Sequence, residues 1–155
     1  MLFRSGIYRT LVRAAPWRGD LPLDTTPHLV RAAVEADLST ITAIQQASPE
    51  ASQWPPDIAD TLICDGGFLV SRSAGPDERE ILNLAVEPAR RKQGIARALW
   101  LAERKHPAKA WFLEVRASNT AAIACYRSLG FALAGRRKKY YTNPVEDALV
   151  MKFLS

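Results

Sequence analysis

The sequence predicts an α/β domain built on a mixed sheet, and three observations carry that expectation. Strand-like and helix-like periods alternate in the order β, α, a short helix or turn, β, β, β, α, β, α, β, β. Between Ile81 and Arg116 a strand, a helix and a second strand follow one another closely. A helix of that length supplies a crossover, so those two strands must be parallel. Elsewhere tight turns such as Asp65-Gly66-Gly67 join consecutive strands as hairpins, which makes most of the sheet antiparallel.

Composition sets the bounds. The 155 residues suffice for one domain with a real core. An apolar share of 48% with 24% charged residues is that of a soluble globular chain. No apolar run approaches the roughly 20 residues that a membrane-spanning helix needs. The net charge of +5 suits an anionic ligand, and equally nucleic acid or a place near the ribosome, and it decides nothing about fold. Cys64 and Cys125 have no metal-ligand spacing, and neither His28 nor His106 neighbours them. Both thiols are expected to be reduced, intracellular and in the core, with no metal site.

Arg4, Arg9, Arg13 and Arg18 stand among apolar residues, with no acid before Asp20. That is the composition of an organellar targeting peptide, and also of a basic extension. Residues 1–27 are expected to be a flexible, dispensable extension that ends in a Pro-rich linker from Pro16 to Pro27, and 28–155 the domain proper. His28 to Ala33 reads as a short first strand. Asp37 is placed to cap a helix carrying Leu38, Ile41 and Ile44 on one face, which stops by Pro49. Trp54-Pro55-Pro56 marks a loop and Asp57 to Leu62 a short helix or turn. Leu62 to Cys64 is a strand stub, and Phe68 to Ser73 returns from the Asp65-Gly66-Gly67 turn.

After a turn at Gly75-Pro76, Arg79 to Val86 is an apolar strand that Pro88 ends. A cationic loop follows, Arg90-Arg91-Lys92-Gln93-Gly94. From Ile95 the period becomes helical, with Ile95, Ala98, Leu99 and Ala102 on one face, as far as about Lys105. Ala110 to Arg116 alternates, with Trp111, Leu113 and Val115 on one side and Phe112, Glu114 and Arg116 on the other. Ser118 or Asn119 caps a further helix faced by Ala122, Cys125, Tyr126 and Leu129, which Gly130 closes. Phe131 to Ala134 is a strand, Arg136 to Tyr141 begins the last connection or its flanks, Thr142-Asn143-Pro144 turns, and Ala148 to Leu154 closes the sheet.

The chemistry gathers at few places. A basic, Gly-containing loop that feeds a helix is an anion site in waiting, because the first N–H groups of a helix lack partners and its dipole is positive there. An ordinary strand-to-helix connection with solvated arginines fits the same residues. Glu114, mid-strand between Leu113 and Val115, suits an ion pair with Arg116 or another arginine, and equally a general base with a raised pKa. Tyr126 is a core tyrosine or a proton donor. Asn119 is a cap that leaves room for a ligand contact. Tyr140 and Tyr141 belong to an exposed charged hairpin or to the wall of a peptide or nucleic-acid site.

Taken together these stretches resemble a known family. Arg91-Lys-Gln-Gly94-Ile-Ala96 fits the R/Q-x-x-G-x-G/A signature of the GNAT family of N-acetyltransferases, and Leu84-Ala-Val-Glu-Pro88 is similar to its fourth strand and exit. Leu113 to Asn119, Ala124 to Phe131, Arg137 to Tyr141 and Glu146 to Met151 resemble the bacterial ribosomal-protein alanine N-acetyltransferases within it. The resemblance runs from about Val30 to the end. It implies a GNAT-like sheet whose central parallel pair splays apart to admit acetyl-CoA. It implies that the stretch from Arg91 to Arg97 holds the phosphates, through the backbone N–H groups of Lys92, Gln93, Gly94, Ile95, Ala96 and Arg97 at the pyrophosphate, and that Leu84, Ala85 and Val86 pair with the pantetheine arm, the Val86 N–H polarising the thioester carbonyl. Asn119 would contact the cofactor near the acetyl end. Glu114 would be the general base, Tyr126 the acid that protonates the leaving thiolate, and Tyr140 and Tyr141 would bind the first residues of a peptide. Attack would be direct, with no covalent enzyme adduct.

The implied activity is acetylation of the N-terminal α-amino group of a protein, a ribosomal protein of the alanine type, in the cytoplasm, with acetyl-CoA as co-substrate and neither metal nor membrane involved. Direct nucleic-acid binding is not expected. Two other functions are compatible with the sequence: acetylation of a small amine or lysine side chain, and a non-catalytic ribosome- or RNA-binding module on the same fold. The chain departs from the family pattern in a central helix about one turn short with Pro107 behind it, in the stub of a second strand, and in the Arg-rich N-terminus.

Overall fold

The computed structural model describes residues 28–51 and 60–155. The expected extension at 1–27, the Trp54 to Pro56 loop and the start of the expected helix or turn at 57–62 lie outside them. The strands are β1 (Arg31–Ala32), β2 (Thr61–Cys64), β3 (Gly67–Gly75), β4 (Glu78–Val86), β5 (Ala110–Arg116), β6 (Ala132–Thr142) and β7 (Val145–Leu154), and the helices α1 (Leu38–Gln46), α2 (Ile95–Glu103) and α3 (Thr120–Ser128). The strands are ordered β1-β2-β3-β4-β5-β7-β6. The sheet is mostly antiparallel, and β4 and β5 form its parallel pair, as the crossover argument requires.

Two compact units divide the chain. One, called here the hairpin unit, holds Ser73–Glu80 and Ala108–Ser155; the other, the loop unit, holds the described residues up to Arg72 together with Ile81–Pro107.

In the loop unit, β1 pairs with β2 and β2 with β3, both antiparallel. Cys64 faces Gly67 across a two-residue turn in which Gly66 takes φ +86°, a conformation glycine adopts without cost. Gly67 itself is required by space: a Cβ there would stand 2.7 Å from Ile95 Cγ2 and 3.2 Å from the Ala85 carbonyl oxygen. The missing side chain thus lets the start of α2 settle against β3 and β4. Ile41 and Ile44 of α1 bury against Ala33, Ile63, Phe68 and Ala85, each worth about 1.5–3 kcal/mol. Asp37 stands where expected, yet it caps the chain ahead of α1. Its carboxylate accepts from the Val34 N–H at 2.8 Å and from two nitrogens of Arg31 at 2.7 and 2.8 Å. The buried face of α2 is also turned from expectation: it is Ile95, Leu99, Trp100 and Glu103, with Ala98 and Ala102 only half-buried. Trp100 has more surface to remove from water than two alanines. Glu103 can follow it inside because Ser71 donates to its carboxylate at 3.0 Å.

In the hairpin unit, β7 lies between β5 and β6, antiparallel to both. Trp111, Leu113 and Val115 of β5 are buried, as their alternation predicts. Trp111, Phe153, Phe131 and Tyr126 form a chain of ring contacts with centroids 5.8–6.0 Å apart. The buried side of α3 centres on Ile123 and Tyr126, while Cys125 is only half-buried. Gly130 ends α3 with φ +97°.

One expectation is settled on one of its alternatives here. Arg136 to Tyr141, expected to begin the last connection or its flanks, is a flank: it is the second half of β6, paired with β7 as far as Thr142↔Val145. The pairing shifts register between Arg137 and Tyr141, where Lys139 has φ +50° and gives its N–H to Asp147 Oδ1 at 2.9 Å. β6 ends the strand order, so it is hydrogen-bonded on one side and carries charge on its open edge. Four consecutive basic residues hide such a strand from any test based on apolar alternation.

Candidate functional site

In the loop unit, β4 leads through a 3-10 turn at Pro88–Arg90 into the basic loop and α2. Two residues of that loop are left-handed, Lys92 at φ +61° and Gly94 at φ +82°. Left-handed residues in a turn gather successive N–H groups toward one point and so form an anion-binding concavity. Lys92 in this region is strained, the kind of cost that persists where a site requires it. Gly94 is the N-cap of α2, and the first bond of the helix joins the Ala98 N–H to the Gly94 carbonyl at 2.9 Å. The N–H groups of Ile95, Ala96 and Arg97 come before that bond and have no i→i−4 acceptor.

The side chains of the loop mostly hold the loop. Arg91 donates to the Val86 carbonyl at 3.1 Å, to Ser48 Oγ at 3.2 Å and to Glu50 Oε1 at 2.5 Å. Arg90 pairs with Asp65 at 2.7 Å. Gln93 donates to the Ala89 carbonyl at 3.4 Å, and His28 Nε2 lies 2.6 Å from the Gln93 carbonyl. Two of the loop's cations are therefore matched by carboxylates, and its electropositive character rests on backbone amides, the helix dipole and exposed Lys92. Leading into the loop, Leu84 and Val86 point to one side of β4, half-buried, and Ala85 to the other, buried with Asn83. Asn83 reaches Gln45 at 3.3 Å.

The hairpin unit holds the remaining candidates. Glu114 of β5 is mostly out of water. Burial is the main cause that pushes its carboxyl pKa up, and nearby Glu80 adds to it; a hydrogen bond from Tyr140 and the charge of Arg137 pull the other way without cancelling it. Arg137 Nε stands 2.8 Å from Glu114 Oε1. The two readings that the sequence left open for Glu114 thus coexist: it has an arginine partner and a raised pKa. The partner is Arg137. Arg116 is engaged elsewhere, with Glu146 at 3.3 Å and stacked 4.1 Å over the Tyr141 ring. Tyr140 and Tyr141 meet edge to face at 5.1 Å. Burial is the first cause that raises both phenols, and for Tyr140 the bond to Glu114 adds to it.

Tyr126 is buried on α3, and that burial keeps its phenol protonated far into the alkaline range, with smaller contributions from Cys125 and Tyr141. Asn119 is the N-cap of α3, its Oδ1 accepting from the Ala122 N–H at 3.1 Å. Among the described residues no group of three or more His, Cys, Asp or Glu side chains is placed to hold a metal ion. No helix among them is long and apolar enough to cross a membrane.

Sequence reasoning missed Arg137 and Glu80 as neighbours of Glu114. Arg137 was hidden by the charge of its own strand. Glu80, at the start of an apolar run, carried a signal in being an acid that enters a buried strand.

Comparison with known proteins agrees with this geometry. The model of the acetyltransferase (GNAT) family matches residues 55–131. Over 82 residues the chain is 48% identical to the ribosomal protein bS18-alanine N-acetyltransferase of Escherichia coli K12; the match covers 48% of this chain and 55% of that enzyme, about half its length. The crystal structure of the ribosomal-protein-S18-alanine N-acetyltransferase from Escherichia coli superposes with a TM-score of 0.64 at 29% identity, over 83% of this chain and 94% of that one. The N-alpha-acetyltransferase RimI of Mycobacterium tuberculosis is 31% identical over 149 residues, which cover 83% of this chain and 94% of that protein. A match of that extent, on top of the loop signature, shows that the chain belongs to the acetyltransferase (GNAT) family.

Proposed function

We propose that the chain transfers the acetyl group of acetyl-CoA to the N-terminal α-amino group of a protein, a ribosomal protein of the alanine type. The observation that carries this reading is the state of Glu114: a desolvated carboxylate with a raised pKa, held by Tyr140 and Arg137. A raised pKa makes the carboxylate a stronger base than an ordinary one, which favours removing a proton from an α-ammonium, whose own pKa is about 8.

The backbone amides from Lys92 to Arg97 hold the pyrophosphate, and Gly94 lets them approach it. Arg91 contributes to that cradle as the strut that fixes its floor. Backbone groups of Leu84, Ala85 and Val86 pair with the pantetheine arm, and the Val86 N–H stabilises charge on the thioester oxygen. The Val86 carbonyl accepts from Arg91, which holds the end of β4 to the loop. Glu114 takes the proton of the ammonium. The amine nitrogen then bonds to the acetyl carbon as the carbon–sulfur bond breaks. Tyr126, still a phenol at any physiological pH, gives its proton to the departing sulfur, which leaves as the thiol, and the phenol is restored by the second proton that the nitrogen loses as it becomes an amide. Tyr140 and Tyr141 border the place of the peptide, and Asn119 that of the acetyl end. The substrate class rests on the proteins that the chain is similar to, whose names specify an alanine terminus.

Thiol release should be measured with acetyl-CoA and three acceptors: an Ala-starting peptide, the same peptide blocked at its terminus but carrying a lysine, and small amines. The Ala-starting peptide is expected to turn over fastest. Faster turnover of the lysine peptide or of a small amine would replace this substrate class. No turnover with any acceptor, together with salt-sensitive RNA binding, would replace the enzyme itself by a binding module.

A further inference from the structure

We propose that Arg137 is the positioning residue of the Glu114 base: it reaches across β7 to set its charge against one carboxylate oxygen and so keeps the carboxylate ionised and in place to take the substrate's proton. This rests on the reading of Glu114 as the base.

The geometry begins with register. Glu114 pairs with Val150, and Val150 with Gly135; Arg116 pairs with Ala148, and Ala148 with Arg137. All six therefore stand on one face of the sheet, in two adjacent rows. Arg137 and Glu114 lie two strands and one row apart, roughly 12 Å between backbones. Only a long side chain spans that, and only where the strand between leaves room at the start of the path. There β7 offers only the methyl group of Ala148, and beside Arg137 on its own strand Gly135 has no side chain. The guanidinium thus crosses above Ala148 and stops with Nε 2.8 Å from Glu114 Oε1, its Cζ 5.6 Å from the centre of the Tyr140 ring. Glu114 keeps about a tenth of its side-chain surface exposed and Arg137 about a third. Their attraction is therefore screened less than that of a surface pair.

The groups that face Glu114 are Glu80 from β4 and Arg137 with Tyr140 from β6; β7 presents uncharged Val150. Tyr141, beside Tyr140, feels the charge of Glu114 as well. Glu80 and burial oppose the ionised carboxylate, whereas Tyr140 and Arg137 favour it. Arg137 is the only cation of the set. Its loss leaves Glu114 protonated to higher pH, where it can no longer accept a proton.

The test compares kcat/KM for acetyl transfer to an Ala-starting peptide across pH in the parent, Glu114→Gln, Arg137→Gln and Arg137→Lys proteins. Each variant is taken as a ratio to the parent, so titration of the peptide amine cancels. Arg137→Gln is expected to fall about tenfold or more at pH 6 and to recover to within about threefold at pH 9. Arg137→Lys restores charge without the planar fork and is expected to stay within about threefold at both. A readout independent of turnover is the titration of the Glu114 side-chain carboxyl followed by carbon NMR, expected at higher pH in Arg137→Gln than in the parent. An unmoved titration, or an Arg137→Gln ratio that is the same at every pH, overturns the inference even if activity is lost. An Arg137→Lys protein as impaired as Arg137→Gln at pH 6 does so too. Full activity of Glu114→Gln sinks the base itself, a failure distinct from these.

Discussion

The basic loop and the β5–β7–β6 face solve opposite problems. In the loop the working groups are backbone amides, and side chains serve as struts: Arg91 on Glu50, Arg90 on Asp65, Gln93 on Ala89. On the hairpin face the working groups are side chains, and other side chains hold them: Tyr140 and Arg137 on Glu114. The difference teaches where each half is vulnerable. The loop should tolerate changes of side chain and fail on changes of backbone conformation. The hairpin face should do the reverse.

The hardest test of the comparison is Glu114→Gln, a change of one atom type with no change of shape. Turnover is expected to drop by about 10²–10⁴-fold, and Tyr126→Phe to act in the same range. The fold should survive both. For Glu114 the sign can be worked out. Its folded pKa lies above its usual 4.5, so the native state holds the proton longer than the unfolded chain does. Stability from this group therefore falls as pH rises from 4.5 through the folded pKa, and Glu114→Gln should flatten that part of the curve. Denaturant unfolding at several pH values checks it. An unchanged slope would show that Glu114 is not desolvated.

The loop's counterpart is Gly94→Val. A branched side chain at φ +82° costs about 1–2 kcal/mol and turns the N-cap amides of α2 away from their common point. KM for acetyl-CoA is expected to rise on the order of tenfold, with kcat much less affected. Lys92 sharpens this further. Lys92→Gly keeps φ +61° accessible and removes only charge, whereas Lys92→Val keeps neither. The glycine variant should raise KM by about threefold or less and the valine variant by several times more. Equal losses in the two would mean that the lysine charge, and not the loop's conformation, binds the phosphates.

The same contrast explains what could be read from sequence. Elements that bury one face declared themselves: β5 matches the alternation of Trp111, Leu113 and Val115, and α3 lies between its Asn119 cap and Gly130. The loop signature and Glu114 could be picked out as candidates because each interrupts a regular pattern with residues that need a reason, and Tyr126 because a phenol sits on an apolar helix face. The second half of β6 was not legible, since an edge strand with charge on it has no apolar period to detect. With it went Arg137, whose meaning depends on the small Ala148 facing it on β7, the strand that separates it from Glu114. For Arg91 the signature marks part of an anion site, and only the structure adds that its guanidinium meets Glu50 and Ser48.

Arg91→Gln is therefore the smallest expected effect and the finest test of the comparison. If Arg91 is a strut, the variant loses an exposed ion pair with Glu50, worth about 0.2–1 kcal/mol. KM for acetyl-CoA should then rise by no more than about fivefold, the size of such a loss. Glu50→Gln should do the same, and the double variant little more than either, because both remove one contact. If the guanidinium instead leaves Glu50 to meet the pyrophosphate, the two substitutions part company. Arg91→Gln would then weaken acetyl-CoA by about tenfold or more and lessen the salt dependence of its binding, while Glu50→Gln would free the arginine and tighten it. The sign of the Glu50→Gln effect alone decides between a backbone cradle braced by arginine and an arginine that is itself a ligand.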